Sequence, residues 1–152
     1  MRYLLLVCLL VAAALPAWAQ DNVVGRWALE LISYEARHTL PDSLVEKLYH
    51  SPAGETNNAI RNGTLTVQVE YRADGTYNYS MQRRLEAQPY YTEHGRYSVQ
   101  NGVLRSYATA QDAAAADAQT IIRLNRKLLE VEFPIWAPEL HVFEQLRYRR
   151  LP

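Results

Sequence analysis

The chain has 152 residues, a single cysteine and equal numbers of basic and acidic side chains, 16 of each, and a length of this order suits one domain. Balanced charge, broken only by short doublets such as Arg83-Arg84 and Arg149-Arg150, excludes the clustered basic surface that phosphate backbones require, so nucleic acid is not an expected partner. The lone Cys8 excludes a disulfide framework and leaves stability to a packed core, which a domain of ~130 residues supplies by burying roughly two thirds of its unfolded surface.

The first element is a leader. Arg2 gives a positive start, Leu4 to Leu15 is almost uninterruptedly apolar, and Ala17-Trp18-Ala19 has the small-x-small form that signal peptidase cuts after. A signal peptide over residues 1–19 follows, with the mature chain starting at Gln20, exported to a periplasm or out of the cell. Val7 before Cys8 does not fit a lipid-modified cysteine, and the apolar stretch from Tyr3 to Ala19 falls short of the ~20 residues of a spanning helix, so no membrane span is expected in the mature chain. Loss of Arg2 from the 16 basic and 16 acidic residues leaves one excess negative charge.

Residues 20–152 alternate apolar and polar positions between turn signals, the pattern of half-buried strands, and eight strands are expected. The first runs from about Val23 to Arg37, with Gly25, Trp27, Leu29, Leu31 and Ser33 on one face and a bend near Tyr34. Pro41-Asp42-Ser43-Leu44 opens one short helix, Ser43 to His50, with Asp42 as its cap. The turn-forming residues Pro52, Gly54, Asn57, Asn58, Asn62 and Gly63 predict a loop over Ser51 to Gly63.

Leu65, Val67, Val69 and Tyr71 then alternate with polar residues up to Ala73-Asp74-Gly75, where a tight hairpin sets Tyr71 against Tyr77, Val69 against Tyr79 and Val67 against Met81. A strand over Tyr90 to Val99 is followed by Asn101-Gly102, a strong hairpin signal, and by Val103 to Ala108. Gln111 to Ala118 reads as a loop. Thr120 to Leu124 and Leu128 to Phe133 form a hairpin in which Ile122 and Leu124 face Leu129 and Val131. The last strand, Leu140 to Arg150, places Val142, Leu146 and Tyr148 on one side.

Sequential strands joined mostly by short connections predict an all-β fold, an eight-stranded antiparallel up-and-down barrel with one short helix after the first strand. Gly25-Arg26-Trp27, Ala73-Asp74-Gly75-Thr76-Tyr77, Gly95-Arg96-Tyr97-Ser98-Val99 before Asn101-Gly102, and an arginine-bearing final strand together resemble the small bacterial lipocalin-like proteins, whose barrel is of the calycin type. The resemblance spans nearly the whole mature chain. It implies that Trp27 closes the base of the barrel under an arginine of the last strand. Arg147 and Arg149 both suit that role, and the expected closing group is Gly25, Trp27 and Arg149.

Candidate chemistry is sparse. Adjacent strand residues point to opposite faces, so Glu93 and His94 cannot hold one atom together, and His38, His50, His94 and His141 show no metal-ligand spacing. No serine sits in a nucleophile turn. No metal, cofactor or catalytic group is therefore expected. The compositional anomaly is tyrosine, with 11 in the chain and only Tyr3 in the leader. Tyr71, Tyr77, Tyr79 and Tyr97 fall on one face, and pairing Tyr79 with Tyr97 also sets Arg83 against Glu93 on that face.

Those two charges either sit together near the open mouth or turn outward. If they sit inward, Arg83 and the tyrosines would orient the carboxylate of an otherwise apolar ligand. The expected binding residues are thus Tyr71, Tyr77, Tyr79, Arg83, Glu93 and Tyr97. Three functions remain in order: a binding protein for a small apolar or amphipathic molecule, a filled barrel that contacts an envelope protein through its loops, and an enzyme.

Overall fold

A computed structural model describes residues 23–108 and 116–152. The expected leader and most of the loop expected over Gln111 to Ala118 lie outside these residues. The chain forms β1 (Gly25–Ala36), α1 (Asp42–Tyr49), α2 (Pro52–Arg61), β2 (Leu65–Tyr71), β3 (Thr76–Arg83), β4 (Tyr91–Gln100), β5 (Val103–Ala108), β6 (Asp117–Leu124), β7 (Leu128–Ile135), a single 3₁₀ turn (Pro138–Leu140) and β8 (Val142–Arg150). The eight strands close into an antiparallel barrel in sequence order, β1 pairing with both β2 and β8. Closure leaves the sheet without a free outermost strand.

The alternation in β2 is the cleanest, with Leu65, Val67, Val69 and Tyr71 all buried. Its hairpin with β3 has the expected register, Tyr71 opposite Tyr77, Val69 opposite Tyr79 and Val67 opposite Met81. Gly75 turns it at φ +80°, and Asp74 Oδ1 accepts hydrogen bonds from the backbone N–H and hydroxyl of Thr76. Inward residues from every strand form one core around Trp27, Leu29, Val67, Leu104, Leu129, Val131 and Tyr148.

Two bulges shift the alternation. β1 slips between Leu29 and Leu31 against β8, so that Trp27 and Leu29 are buried and then Ile32, while Leu31 and Ser33 leave the interior face they were expected to share. An extra residue in one strand does this because the side-chain period is two. The second bulge lies in β6 between Ile121 and Arg123. Leu124 faces Leu129 as expected, but Ile121 faces Val131, and Ile122 is exposed.

The expected loop over Ser51 to Gly63 is a helix. Ser51 caps it, its Oγ accepting from the Gly54 backbone N–H at 3.1 Å. Pro52 stands at the first turn, Glu55 and Arg61 complement the dipole at the two ends, and Gly63 at φ +74° stops it. Residues read as turn formers are therefore its start and stop signals. Gly54 is fixed by contact: a Cβ there would lie 2.4 Å from the Tyr49 carbonyl oxygen. In α1, Asp42 lies inside the first turn and Pro41 takes the cap position, its carbonyl accepting from the N–H groups of Leu44 and Val45.

Helix α2 sits where the barrel wall parts. β1 pairs with β2 only from Gly25 to Ala28, and beyond that point it stays with β8. The helix packs against both β1 and β2. Asn57 Oδ1 accepts from the Ile32 backbone N–H at 2.8 Å, and Tyr34 Oη is hydrogen-bonded to Ser51 Oγ at 2.7 Å. Ala53, Ala59 and Ile60 pack on the core, so α2 also roofs part of the interior.

Candidate functional site: the barrel interior

The floor is set by Trp27. Its side chain is fully buried, its indole Nε1 donates to the Val23 carbonyl at 2.7 Å, and the guanidinium of Arg150 lies 4.4 Å from the ring centre. Arg149, the expected closing arginine, points outward and pairs with Glu30 at 2.7 Å, while Arg147 pairs outward with Glu130 at 2.6 Å. The reason is alternation. Leu146 and Tyr148 face in, so Arg150 faces in two residues later. Gly25 lies beside this pair: its φ is +138°, and a Cβ would come within 3.0 Å of Arg150 Nη1.

Above the floor lies a cavity of about 370 Å³. Leu29, Ile32, Val69 and Leu146 form its apolar wall, and Ala53 and Thr56 of α2 close one side. Tyr71, Tyr77, Tyr79, Tyr91 and Tyr148 supply aromatic faces, and Glu93, Asp117 and Glu144 supply carboxylates. The tyrosines lean on one another: the Tyr71 and Tyr77 rings are 6.3 Å apart, and those of Tyr79 and Tyr91 are 6.1 Å apart.

Burial pushes the hydroxyls of Tyr71, Tyr77 and Tyr148 well above the ordinary phenol range, and that of Tyr79 up to about 12. All are neutral hydrogen-bonding groups at physiological pH. Glu93 is held by two phenols, Oε1 accepting from Tyr77 Oη at 2.5 Å and Oε2 from Tyr91 Oη at 2.8 Å. Glu144 is raised from the usual carboxyl value by burial alone.

Of the six residues expected at the site, Tyr71, Tyr77, Tyr79 and Glu93 line the cavity. Tyr97 does not: its ring packs 4.8 Å from that of Tyr71, and its hydroxyl donates to the Arg72 carbonyl. Arg83 is exposed, salt-bridged to Glu86 at 3.2 Å and stacked on Tyr90.

The expected pairing of Tyr79 with Tyr97 and Arg83 with Glu93 fails because β4 is displaced along β3 by four residues. Tyr79 faces Glu93 instead, and Arg83 pairs only with Leu65 of β2. Tyr90 N–H bonds to Met81 O, and the connection between β3 and β4 closes earlier than expected. The shift is even, so each side chain keeps its face, and the tyrosine wall survives the error.

Tyr91, Asp117, Glu144 and Tyr148 were not among the expected site residues. Glu144 was legible, since it lies two residues before the inward Leu146. Asp117 was not, because β6 begins at Asp117, earlier than its β-rich segment suggests.

Among the described residues, no three His, Cys, Asp or Glu side chains converge closely enough to hold a metal ion, and no helix is long and apolar enough to cross a membrane. No family model matches the chain, and no curated protein matches it.

Proposed function

We propose that the protein is an exported, lipocalin-like binding protein that holds one small apolar or amphipathic molecule inside the barrel and does no chemistry on it. The observation that carries this reading is the cavity of about 370 Å³ between the Trp27 floor and helix α2. Small-molecule sites begin at roughly 300 Å³ and combine apolar and aromatic walls with a few placed polar groups. A barrel filled by its own side chains would serve instead as a surface for an envelope protein partner, and the open volume favours the first function.

Native mass spectrometry of the protein purified without stripping, paired with titration of the neutral fluorescent probe phenylnaphthylamine, tests the reading. The expected result is one equivalent of co-purified small molecule or one equivalent of probe. A bare mass with no probe response overturns it in favour of the filled module. Export is tested separately: the protein recovered outside the cytoplasm should begin at Gln20.

A further inference from the structure

We infer that the molecule held in the barrel is an organic cation, a protonated amine or quaternary ammonium on a small aromatic or apolar body, anchored by Glu93. This inference rests on the interior being a binding site. Its ground is the charge of the lining. Glu93, Asp117 and Glu144 face the cavity, and among the described residues no lysine, arginine or histidine lines it.

The neighbouring arginines are committed elsewhere. Arg83 pairs with Glu86, Arg37 with Glu132, Arg147 with Glu130 and Arg149 with Glu30. Arg150 does face inward, but it lies against Trp27 in the floor. An anionic ligand would meet uncompensated negative charge in a partly dehydrated space, which is costly.

The arrangement at Glu93 is that of a preset acceptor. The hydroxyls of Tyr77 and Tyr91 approach different oxygens of the carboxylate and fix its orientation. A carboxylate has about four lone-pair sites, so two donors leave room for an ammonium group. The phenols are neutral and do not cancel the charge. Around it, Tyr71, Tyr79 and Tyr148 offer rings to the same cavity, the surface against which a cation is attracted.

Glu144 is a second carboxylate of the lining. It borders both the interior and a neighbouring groove lined by Leu44, Lys47, Pro52 and Trp136. The carboxylates do not converge on one point, which suits an organic cation with a body of its own rather than a metal ion.

The test compares three ligands that share one apolar body, naphthylethylamine, naphthylethanol and naphthaleneacetate, by calorimetric titration of the protein expressed from its full sequence. The amine is expected to bind at least about tenfold tighter than the alcohol, the range of one charge-assisted hydrogen bond, and the carboxylate weakest. Glu93→Gln keeps an acceptor oxygen for one of the two tyrosines and turns an amide N–H toward the hydroxyl of the other, and it should cost the amine about tenfold while leaving the alcohol within about twofold.

Glu144→Gln is the second variant in case the first does not fold, and it too should narrow the preference for the amine. If the alcohol binds and the amine binds no better, the cation inference is overturned and the binding site stands. If the amine preference survives both variants, the carboxylate anchor is overturned. If none of the three ligands binds, the binding function falls, and the inference with it.

Discussion

The guanidinium of Arg150 lies 4.4 Å from the centre of the Trp27 indole, and the two residues are direct partners in the β1–β8 ladder. The pair plugs the barrel at the end where the N-terminal and C-terminal strands meet. Trp27→Ala should lower the free energy of unfolding by ~3–5 kcal/mol, as for other fully buried aromatics. Arg150→Ala should cost ~1–2 kcal/mol from the lost stacking. Arg149→Ala, which removes an exposed ion pair with Glu30, should cost under about 1 kcal/mol. Urea denaturation of the three variants checks the order, and equal effects at the two arginines would refute the pairing.

Gly95 is the partner of Tyr77, and the ring of that tyrosine lies where a side chain would be. A Cβ on Gly95 would fall 2.6 Å from Tyr77 Cε1 and 2.1 Å from the Tyr107 carbonyl oxygen. The second contact is with backbone of the paired strand and cannot relax by a rotamer change. Gly95→Ala should therefore destabilise by ~1–3 kcal/mol or more, the range of overpacking, and should disturb the Tyr77 bond to Glu93. Gly63→Ala gives the comparison, since its Cβ would meet nothing and only the cost of φ +74° remains. Thermal unfolding of both variants separates steric from conformational cost.

Helix α2 is tied to β1 by Asn57, whose side chain takes the Ile32 N–H that no strand receives. Asn57→Ala should leave that donor without its acceptor, at ~1–2 kcal/mol. The loss should be local. Hydrogen exchange at the Ile32 amide should accelerate, while amides of the β2–β3 hairpin keep their protection. An unchanged Ile32 amide would show that the helix is held by its apolar contacts alone.

Alkaline pH should unfold the barrel through its tyrosines. In the native state Tyr79 has its hydroxyl pushed from 10.0 up to about 12 by burial, and Tyr71 and Tyr148 are shifted further in the same direction. A native value above the unfolded one means that the unfolded chain releases its protons first. The stabilising contribution is thus complete below pH ~10 and disappears as pH rises past it toward the native values. The ultraviolet absorbance of tyrosinate should rise in two stages, exposed residues first and the buried set only as the fold is lost. A single smooth titration with the barrel intact would contradict the burial.

Most of the barrel was legible because alternation and turn chemistry agreed. The β2–β3 register followed from Asp74-Gly75 and four alternating apolar residues. Three things were hidden. The bulges in β1 and β6 leave no mark in composition, yet each inverts the faces beyond it, which is how Leu31 was placed inside and Ile122 in the core. Helix α2 was concealed because Ser51-Pro52 and Gly63 serve equally as loop residues and as helix ends, and only the packing of Ala53, Ala59 and Ile60 on the barrel decides between them. The β3–β4 register was missed because no glycine or asparagine marks that turn, and its residues bond among themselves, Glu86 N–H to the Arg83 carbonyl and Gln82 Nε2 to the Glu86 carbonyl. The arginine of the floor was available all along: with Leu146 and Tyr148 inward, two residues further along the same face is Arg150.

The early parting of β1 from β2 has a consequence for the protein's behaviour at high concentration. Beyond Ala28 one side of β1 has no strand partner, and backbone groups so placed can recruit the strand of a second molecule. Helix α2 takes that place, with an asparagine amide standing in for the missing carbonyl. A chain whose α2 detaches would expose a sticky ribbon while the rest of the barrel stayed folded. The helix that roofs the interior is therefore also a guard against self-association, and loss of its Asn57 tether is a route to aggregation that needs no global unfolding.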